Sequence, residues 1–193
     1  MIYNIARYPV HLIDVAVLRD GRRVTIRPTL PQDLELQRAF FRSLSPANRY
    51  ARFMTGLSEL PETVARRFAS IDYCEHLALL AEVFDASGER MLGEARYVVD
   101  PHEPRTCVFA IAVADDWHGT GLAGMLLERL EQQAAASGIQ RMSADTLSGN
   151  RPMLGLAARA GYTVALSRRD ADVAHLEKGL IARSVNCDQV AAA

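Results

Sequence analysis

The sequence is poor in cysteine and histidine, and this limits the disulfide and metal chemistry open to it. Three cysteines occur among 193 residues, they lie far apart, and none forms a C-x-x-C pair. That pattern argues against a disulfide framework and against a zinc site. The histidines also lack the spacing of metal ligands. We therefore predict reduced thiols and no bound metal.

The sequence has no excess of charge of either sign and no long apolar run. Lys and Arg number 22 against 23 Asp and Glu, which gives no electrostatic reason for broad binding to nucleic acid or anionic membranes. No apolar run reaches the roughly 20 residues of a membrane span, and the N-terminus lacks the pattern of a signal peptide. We expect a cytoplasmic protein without nucleic-acid or membrane partners. One local anion site remains compatible with this charge.

Length and apolar periodicity predict one globular domain over residues 1–183, followed by a disordered tail at 184–193. The predicted strands cover 15–28 (a hairpin around Asp20-Gly21), 77–85, 92–100, 107–113, 140–147, 162–166 and 172–180. The predicted helices cover 34–44, 62–71, 122–137 and 150–160, with Ser45-Pro46 as a stop or a new start. This order predicts an α/β (α+β) fold, in which an antiparallel meander precedes a β-α-β-α-β segment.

The stretch DDWHGTGLAGMLLERL, residues 115–130, places Gly119, Gly121 and Gly124 between a buried strand and an amphipathic helix. Such a junction exposes backbone N–H groups at a helix N-terminus, which suits a pyrophosphate. The alternative is a turn whose glycines serve helix packing. A nucleotide P-loop is excluded because no lysine occurs in this stretch. The dinucleotide fingerprint has matching glycine spacing, but here it follows a meander late in the chain.

Two segments together, CVFAIAVADDWHGTGLAGMLLERL and NRPMLGLAARAGY, resemble the GNAT superfamily of acetyl-CoA-dependent N-acetyltransferases, whose signature is Q/R-x-x-G-x-G/A. His118 stands at the Gln/Arg position, while Gly121 and Ala123 fill the other two. The earlier stretch GRRVTIRPTLPQDLELQRAFFRSLSPANRYARF is similar to the acetyltransferase domain of bacterial Pat-type protein lysine acetyltransferases. The resemblance covers residues 15–168. It implies a mixed, mostly antiparallel sheet flanked by helices, with a splayed strand pair at the cofactor site.

The resemblance also implies acetyl-CoA as co-substrate and a direct attack by an amine on the thioester. The residues assigned to cofactor binding are Ile111, Ala112, Val113, His118, Gly119, Thr120, Gly121, Leu122, Ala123 and Asn150. The main chain of the strand would pair with the pantetheine arm, and the N–H of Val113 would stabilise the oxyanion. The His118 ring either donates to a phosphate or is a solvated loop side chain. The acceptor is a small-molecule amine or a protein lysine, and the final strands pair either across a homodimer or within one subunit.

Two proton-handling positions of the family are occupied by apolar residues. Val108 stands where a glutamate base is usual, and Ala157 stands where many relatives have a tyrosine acid. The candidate catalytic residues are Tyr97, which lies opposite Val108 if the 100–105 turn is symmetric, and Asp145 on the next strand. The alternatives are a water relay, an amine that arrives neutral, or a catalytically degenerate domain that binds acyl-CoA as a sensor or regulatory module.

Overall fold

The computed structural model describes residues 8–85, 88–167 and 170–180, so the predicted tail at 184–193 lies outside the described residues. The strands are β1 (Asp14–Val17), β2 (Arg23–Pro28), β3 (His76–Asp85), β4 (Gly88–Val99), β5 (Thr106–Val113), β6 (Arg141–Leu147), β7 (Thr163–Leu166) and β8 (Val173–Gly179). The helices are α1 (Leu34–Ser43), α2 (Pro46–Phe53), α3 (Glu62–Ala69), α4 (Leu122–Ala136) and α5 (Arg151–Arg159).

Within the described residues, eight strands form one sheet in the order β1-β2-β3-β4-β5-β6-β8-β7. Every neighbouring pair is antiparallel except β5 and β6, which run parallel and are connected by α4. The final strands β7 and β8 pair with each other and with β6 of the same chain. The expected α/β fold with a mixed, mostly antiparallel sheet is therefore confirmed.

The helices cover the two faces of the sheet separately. On the face that we call the α1 face, Gln37 of α1 donates to Glu94 of β4, and Phe68 of α3 lies under a β4 arginine. Gly93, the residue of β4 that precedes Glu94, faces the other way, toward Leu126 of α4. We call that side the α4 face. Because side chains alternate along a strand, the two faces can be assigned residue by residue.

The core lies mainly between the sheet and α4. The apolar stripe of α4 predicted from the sequence is fully buried at Leu122, Leu126, Leu127 and Leu130. Burial of each such leucine contributes about 1.5–3 kcal/mol relative to leaving it exposed. This packing fixes the start of α4 against the ends of β4 and β5, where the glycine stretch lies.

The Ser45-Pro46 pair begins a helix. The Ser45 hydroxyl accepts from the Asn48 N–H at 3.2 Å, and Pro46 occupies the first turn, where a missing N–H has no cost. Helix α3 ends at Ala69, two residues before the predicted Ile71. Within the described ranges, no helix is long and apolar enough to cross a membrane.

The expected pairing of Tyr97 with Val108 is wrong by one residue. Tyr97 lies opposite Phe109, and Val108 lies opposite Val98. The reason is the turn, in which the Asp100 N–H donates to the Thr106 carbonyl and leaves an odd number of residues between them. Tyr97 consequently faces α4, whereas Val108 faces the other side of the sheet.

Candidate functional site

Strands β5 and β6 separate halfway along their length. Their parallel pairing covers Thr106 with Arg141 through Val108 with Ser143, and it ends there. Strand β5 continues beside β4 as far as the pair of Val113 with Gly93. The result is a wedge-shaped gap between β5 and β6, which is the splayed strand pair expected from the sequence.

The main chain of β5 presents free polar groups to this gap. The Ala114 N–H donates to Leu92 at 2.7 Å, and hydrogen-bonded pairs alternate along an antiparallel ladder. The main-chain groups of Ala112 therefore point to β4, and those of Ile111 and Val113 point into the gap. The Val113 carbonyl accepts from Asn48 Nδ2 at 2.8 Å. In the described part of the chain, its N–H and both main-chain groups of Ile111 have no partner, so they are available to a ligand.

The loop after β5 is held in shape by Thr120 and Trp117. Thr120 is buried; its hydroxyl donates to the Trp117 carbonyl at 2.9 Å and accepts from the Leu122 N–H at 3.3 Å. Trp117 is buried beneath the guanidinium of Arg22, which lies 3.8 Å from the centre of the indole ring. Gly121 precedes α4 with φ at 92°, a conformation that residues with a Cβ rarely adopt.

This loop exposes five backbone N–H groups that make no hydrogen bond within the described residues: Gly119, Thr120, Gly121, Ala123 and Gly124. They lie together at the N-terminus of the 15-residue helix α4, where the macrodipole adds partial positive charge. The His118 N–H is different, since it donates to the Asp115 carbonyl at 3.3 Å. The geometry is that of a backbone anion site.

The His118 side chain makes a contact that neither sequence interpretation included. Its Nε2 lies 3.0 Å from the Val113 carbonyl, which requires a proton on Nε2. Asn48 donates to the same carbonyl, and the Asp115 carboxylate accepts from the Ser45 N–H and hydroxyl. Burial raises the pKa of Asp115, but the hydrogen bonds from Ser45, together with smaller contributions from Asn48 and His118, outweigh it, and the pKa is lowered. The ring and the carboxylate thus tie the loop to the start of α2.

Arg19 is a residue at this loop that sequence reasoning missed. It lies at the tip of the β1–β2 hairpin, and its Nε is 3.5 Å from the point where a Cβ on Gly121 would stand. Nearby acidic groups are engaged elsewhere, since Asp20 pairs with Arg22 and Asp116 pairs with Arg90. Arg19 belongs to no ion pair in the part of the chain that the structure describes. Its charge therefore remains uncompensated beside the free N–H groups.

Asn150 lies where β6 ends and α5 begins, on the far side of the gap. Its Oδ1 accepts from the Met153 N–H at 3.2 Å, and its Nδ2 donates to Thr146 Oγ1 at 3.0 Å. The side chain is thus an N-cap of α5. The residue keeps α5 docked at the edge of the gap.

Tyr97 is not placed to exchange protons with a ligand in the gap. Its ring is fully buried on the α4 face, and its hydroxyl donates to the Cys74 carbonyl at 3.3 Å. Burial raises the pKa of this hydroxyl to about 12, which disfavours the phenolate that a base requires. The position and the chemistry of Tyr97 thus argue against it as the base.

Asp145, the other candidate, lies on the α1 face next to a histidine. Its Oδ1 is 2.7 Å from Nδ1 of His175, directly opposite on β8. Both side chains are about half exposed, at 55% for Asp145 and 44% for His175. The sequence alone did not associate these residues, because only the β6–β8 register brings them together.

A buried carboxylate also lies near the end of β5. Glu94, opposite Ala112, accepts from Arg96 and from Gln37 Nε2. It lines a cavity of about 20 Å³ under α1, α2 and α3, which is room for one water. Burial raises the pKa of Glu94, but the charge and hydrogen bonds of Arg96, together with the nearby charge of Arg52, outweigh it, and the pKa is lowered. Three of the four lone-pair positions of this carboxylate are already occupied.

Comparison with known proteins connects this geometry to a family. Residues 41–162 match the model of the acetyltransferase (GNAT) family. The chain is 34% identical over 158 residues to Acetyltransferase PA5475 of Pseudomonas aeruginosa, covering 82% of this chain and 83% of that protein. It is 26% identical over 144 residues to Acetyltransferase Pat of Mycolicibacterium smegmatis, covering 75% of this chain but only 42% of that longer protein.

Solved structures agree with this match. The GNAT domain of S. lividans PAT superposes with a TM-score of 0.81 at 28% identity, over 90% of this chain and 100% of that one. A phosphinothricin acetyltransferase from Sinorhizobium meliloti, solved in complex with AcCoA, has the same fold, with a TM-score of 0.65 at 20% identity over 81% and 88% of the two chains. The expected acyl-CoA-dependent N-acyltransferase with acetyl-CoA as co-substrate is confirmed at the level of the family. The chain belongs to the acetyltransferase (GNAT) family.

Proposed function

We propose that the protein is a cytoplasmic acetyltransferase that transfers the acetyl group of acetyl-CoA to a primary amine, with protein lysine as the acceptor. The observation that carries the proposal is the gap between β5 and β6, which opens directly onto a loop with five free N–H groups. A thioester arm fits an extended strand edge, and a diphosphate fits a backbone anion site at a helix N-terminus. Both features occur here in the order that coenzyme A requires.

In this proposal the cofactor lies along β5 and across the start of α4. The pantetheine amides pair with the main chain of Ile111 and Val113, on either side of Ala112. The diphosphate lies on the main chain of residues 118–123, and Asn150 borders the arm from the opposite side. Arg19 adds a guanidinium that binds phosphate oxygens. Coenzyme A supplies the activated acetyl group, and these residues hold that group in position.

The N–H of Val113 is the proposed donor to the oxyanion. It points into the gap, and its own carbonyl is held by Asn48 and His118. A donor fixed in this way loses little orientational freedom when negative charge develops on the thioester oxygen. Direct attack by the amine then needs no covalent enzyme intermediate.

The acceptor approaches on the α1 face, beside the point where β5 and β6 separate. Val108 is 51% exposed there, so helices α1–α3 leave this part of the sheet open. Asp145 is exposed on the same side of the sheet, and its charge attracts a cationic acceptor. These features support a lysine ammonium presented by another protein.

A second candidate function is an acyl-CoA sensor that binds without turnover. It is favoured by the residues at the two family positions for proton transfer, since Val108 cannot titrate and Ala157 is buried in the core. The two functions differ only in chemistry, because both use the same cofactor site.

A paired glycine experiment tests the proposal. Gly121→Glu puts a bulky acid among the free N–H groups, whereas Gly138→Glu makes the same change at the other end of α4. Both glycines have φ near 90°, so the backbone strain is matched; a Cβ would meet nothing within 4 Å at Gly138 and only the flexible Arg19 side chain, at 3.5 Å, at Gly121. We expect CoA binding by calorimetry and thiol release with lysine peptides for wild type and Gly138→Glu. Gly121→Glu should lose both.

Three results would argue against the proposal. If Gly121→Glu binds CoA like wild type, the assignment of the loop is wrong. If wild type binds CoA but acetylates neither lysine peptides nor a panel of small amines, the sensor function is supported instead. If wild type does not bind CoA at all, both functions are excluded.

A further inference from the structure

The proposed reaction requires a group that removes a proton from the acceptor, since an amine at neutral pH is mostly an ammonium ion. In the family's usual pattern that group is a glutamate, and its position in this chain is occupied by Val108. A valine has no titratable atom. A residue that replaces the glutamate as the base must be accessible from the α1 face and must lie close to the point where β5 and β6 separate.

The register of the sheet places one histidine in such a position. Val108 is paired with Ser143 in a parallel ladder, so their side chains share the α1 face. Asp145 is two residues further along β6 on the same face, and His175 lies directly opposite it. With two strand spacings of about 5 Å each and an offset of about 7 Å for two residues, the Cα atoms of Val108 and His175 are about 12 Å apart. A side chain and one water molecule span such a distance.

The contact with Asp145 leaves His175 ready to accept a proton. A carboxylate oxygen 2.7 Å from Nδ1 is an acceptor, so Nδ1 carries the hydrogen and Nε2 of the neutral ring has a free lone pair. Charged groups facing the ring within the described ranges are Asp145 from β6 and Glu177 from its own strand. On β7, the residue opposite His175 is Ala165, which carries no charge. The Glu177 carboxylate is 3.9 Å from Nε2, too far for a hydrogen bond.

We propose that His175 is the general base of this acetyltransferase and that Asp145 is its positioning residue, an inference that rests on the proposed acetyl transfer. Nε2 takes a proton from the acceptor ammonium, directly or through one water, and the freed amine attacks the thioester carbon. The C–S bond breaks as the tetrahedral intermediate collapses, and the thiolate leaves. His175 passes its proton to that thiolate. The second proton lost by nitrogen goes to solvent, leaving an amide, free CoA thiol and one proton.

The experiment compares three substitutions with wild type, with Glu177→Gln as the matched control on the same strand and face. His175→Gln should lower kcat/KM about 100-fold or more at pH 7 and leave the Kd for CoA unchanged. The deficit should shrink toward high pH, where the amine arrives neutral. Asp145→Asn should lower kcat/KM about tenfold and move the acidic limb of the pH profile. Glu177→Gln should stay within about twofold of wild type.

Chemical rescue distinguishes a base from a structural side chain. Imidazole added to His175→Ala should restore part of the lost rate without changing the Kd for CoA. If His175→Gln retains wild-type kcat/KM from pH 6 to 9, the base assignment is overturned while the acetyltransferase function stands. Weakened CoA binding, or a lost rate that imidazole leaves unchanged, assigns His175 a structural role and also overturns it. A wild-type protein without turnover overturns the proposed function itself.

Discussion

The guanidinium of Arg96 binds both carboxylate oxygens of Glu94, with Nε 2.6 Å from one oxygen and Nη2 2.7 Å from the other. Both side chains are at least 93% buried, and the same guanidinium lies 3.5 Å from the ring centre of Phe68. Its Nη1 donates to Nε2 of His76. The pair therefore joins β3 and β4 to the helices that cover the α1 face.

Removing one member of this pair should destabilise the fold strongly. Glu94→Gln and Arg96→Met each leave a buried group without its charged partner, which costs about 3–5 kcal/mol. The double variant removes both charges and should cost less than the sum of the two single variants. Urea unfolding followed by far-UV circular dichroism measures these differences. Additive losses would mean that the pair contributes no coupling energy.

The pH dependence of stability should also identify Glu94. Its pKa is below the ordinary 4.5 in the folded protein, so the folded state binds fewer protons than the unfolded state at acid pH. Its contribution is complete above about pH 4.5 and is lost as the pH falls through the lowered pKa. The stability gap between wild type and Glu94→Gln should accordingly narrow below pH 4.5. A gap that stays constant between pH 7 and pH 3.5 would contradict this assignment.

The fold and the cofactor loop could be predicted because their signals are local. The glycines at 119–124 and the apolar stripe of α4 follow one another in the sequence. The glycines indicate a turn, and the apolar spacing indicates a helix. The pairing of Tyr97 was wrong because a single residue in the 100–105 turn shifts the whole β4–β5 register. Local patterns do not determine the length of such a turn.

The contacts that the sequence did not reveal join distant parts of the chain. His175 and Asp145 are 30 residues apart, and Arg19 reaches Gly121 from across about half the chain. A hairpin and a strand register, neither with a sequence motif of its own, bring these groups together. The charged hairpin tip was the available signal for Arg19, although the same charges suit an ordinary solvated turn.

Gly93 is needed where β4 passes under the start of α4. A Cβ there would stand 3.1 Å from the Ala112 carbonyl oxygen and 3.1 Å from Cγ2 of Val113, with Leu126 at 3.3 Å. The carbonyl is main chain and cannot move without shifting β5. We therefore expect Gly93→Ala to destabilise the protein by about 1–3 kcal/mol in urea unfolding.

The control for this prediction is Gly124→Ala. The new Cβ would meet only Leu156 Cδ1 at 3.9 Å, an ordinary contact, and it lies within helix α4. Alanine there should stabilise the fold by about 0.5–1 kcal/mol, because glycine loses more backbone entropy in a helix. Equal effects of the two substitutions on the free energy of unfolding would mean that the close approach at Gly93 does not make a Cβ there destabilising.

Arg19 should contribute to the affinity for coenzyme A through its charge. Arg19→Ala removes the uncompensated guanidinium beside Gly121, and the Kd for CoA measured by calorimetry should rise about tenfold. The reason is that a charge-assisted hydrogen bond contributes about 1.5–3 kcal/mol.

The control is Arg67→Ala on α3, which changes another exposed arginine without an ion pair in the described chain and should bind CoA like wild type. Because Arg19 is exposed, its effect should shrink when salt is raised from 0.05 to about 0.5 M. A loss of affinity that does not depend on salt would instead indicate that Arg19 supports the shape of the hairpin, and unchanged affinity would remove Arg19 from the site.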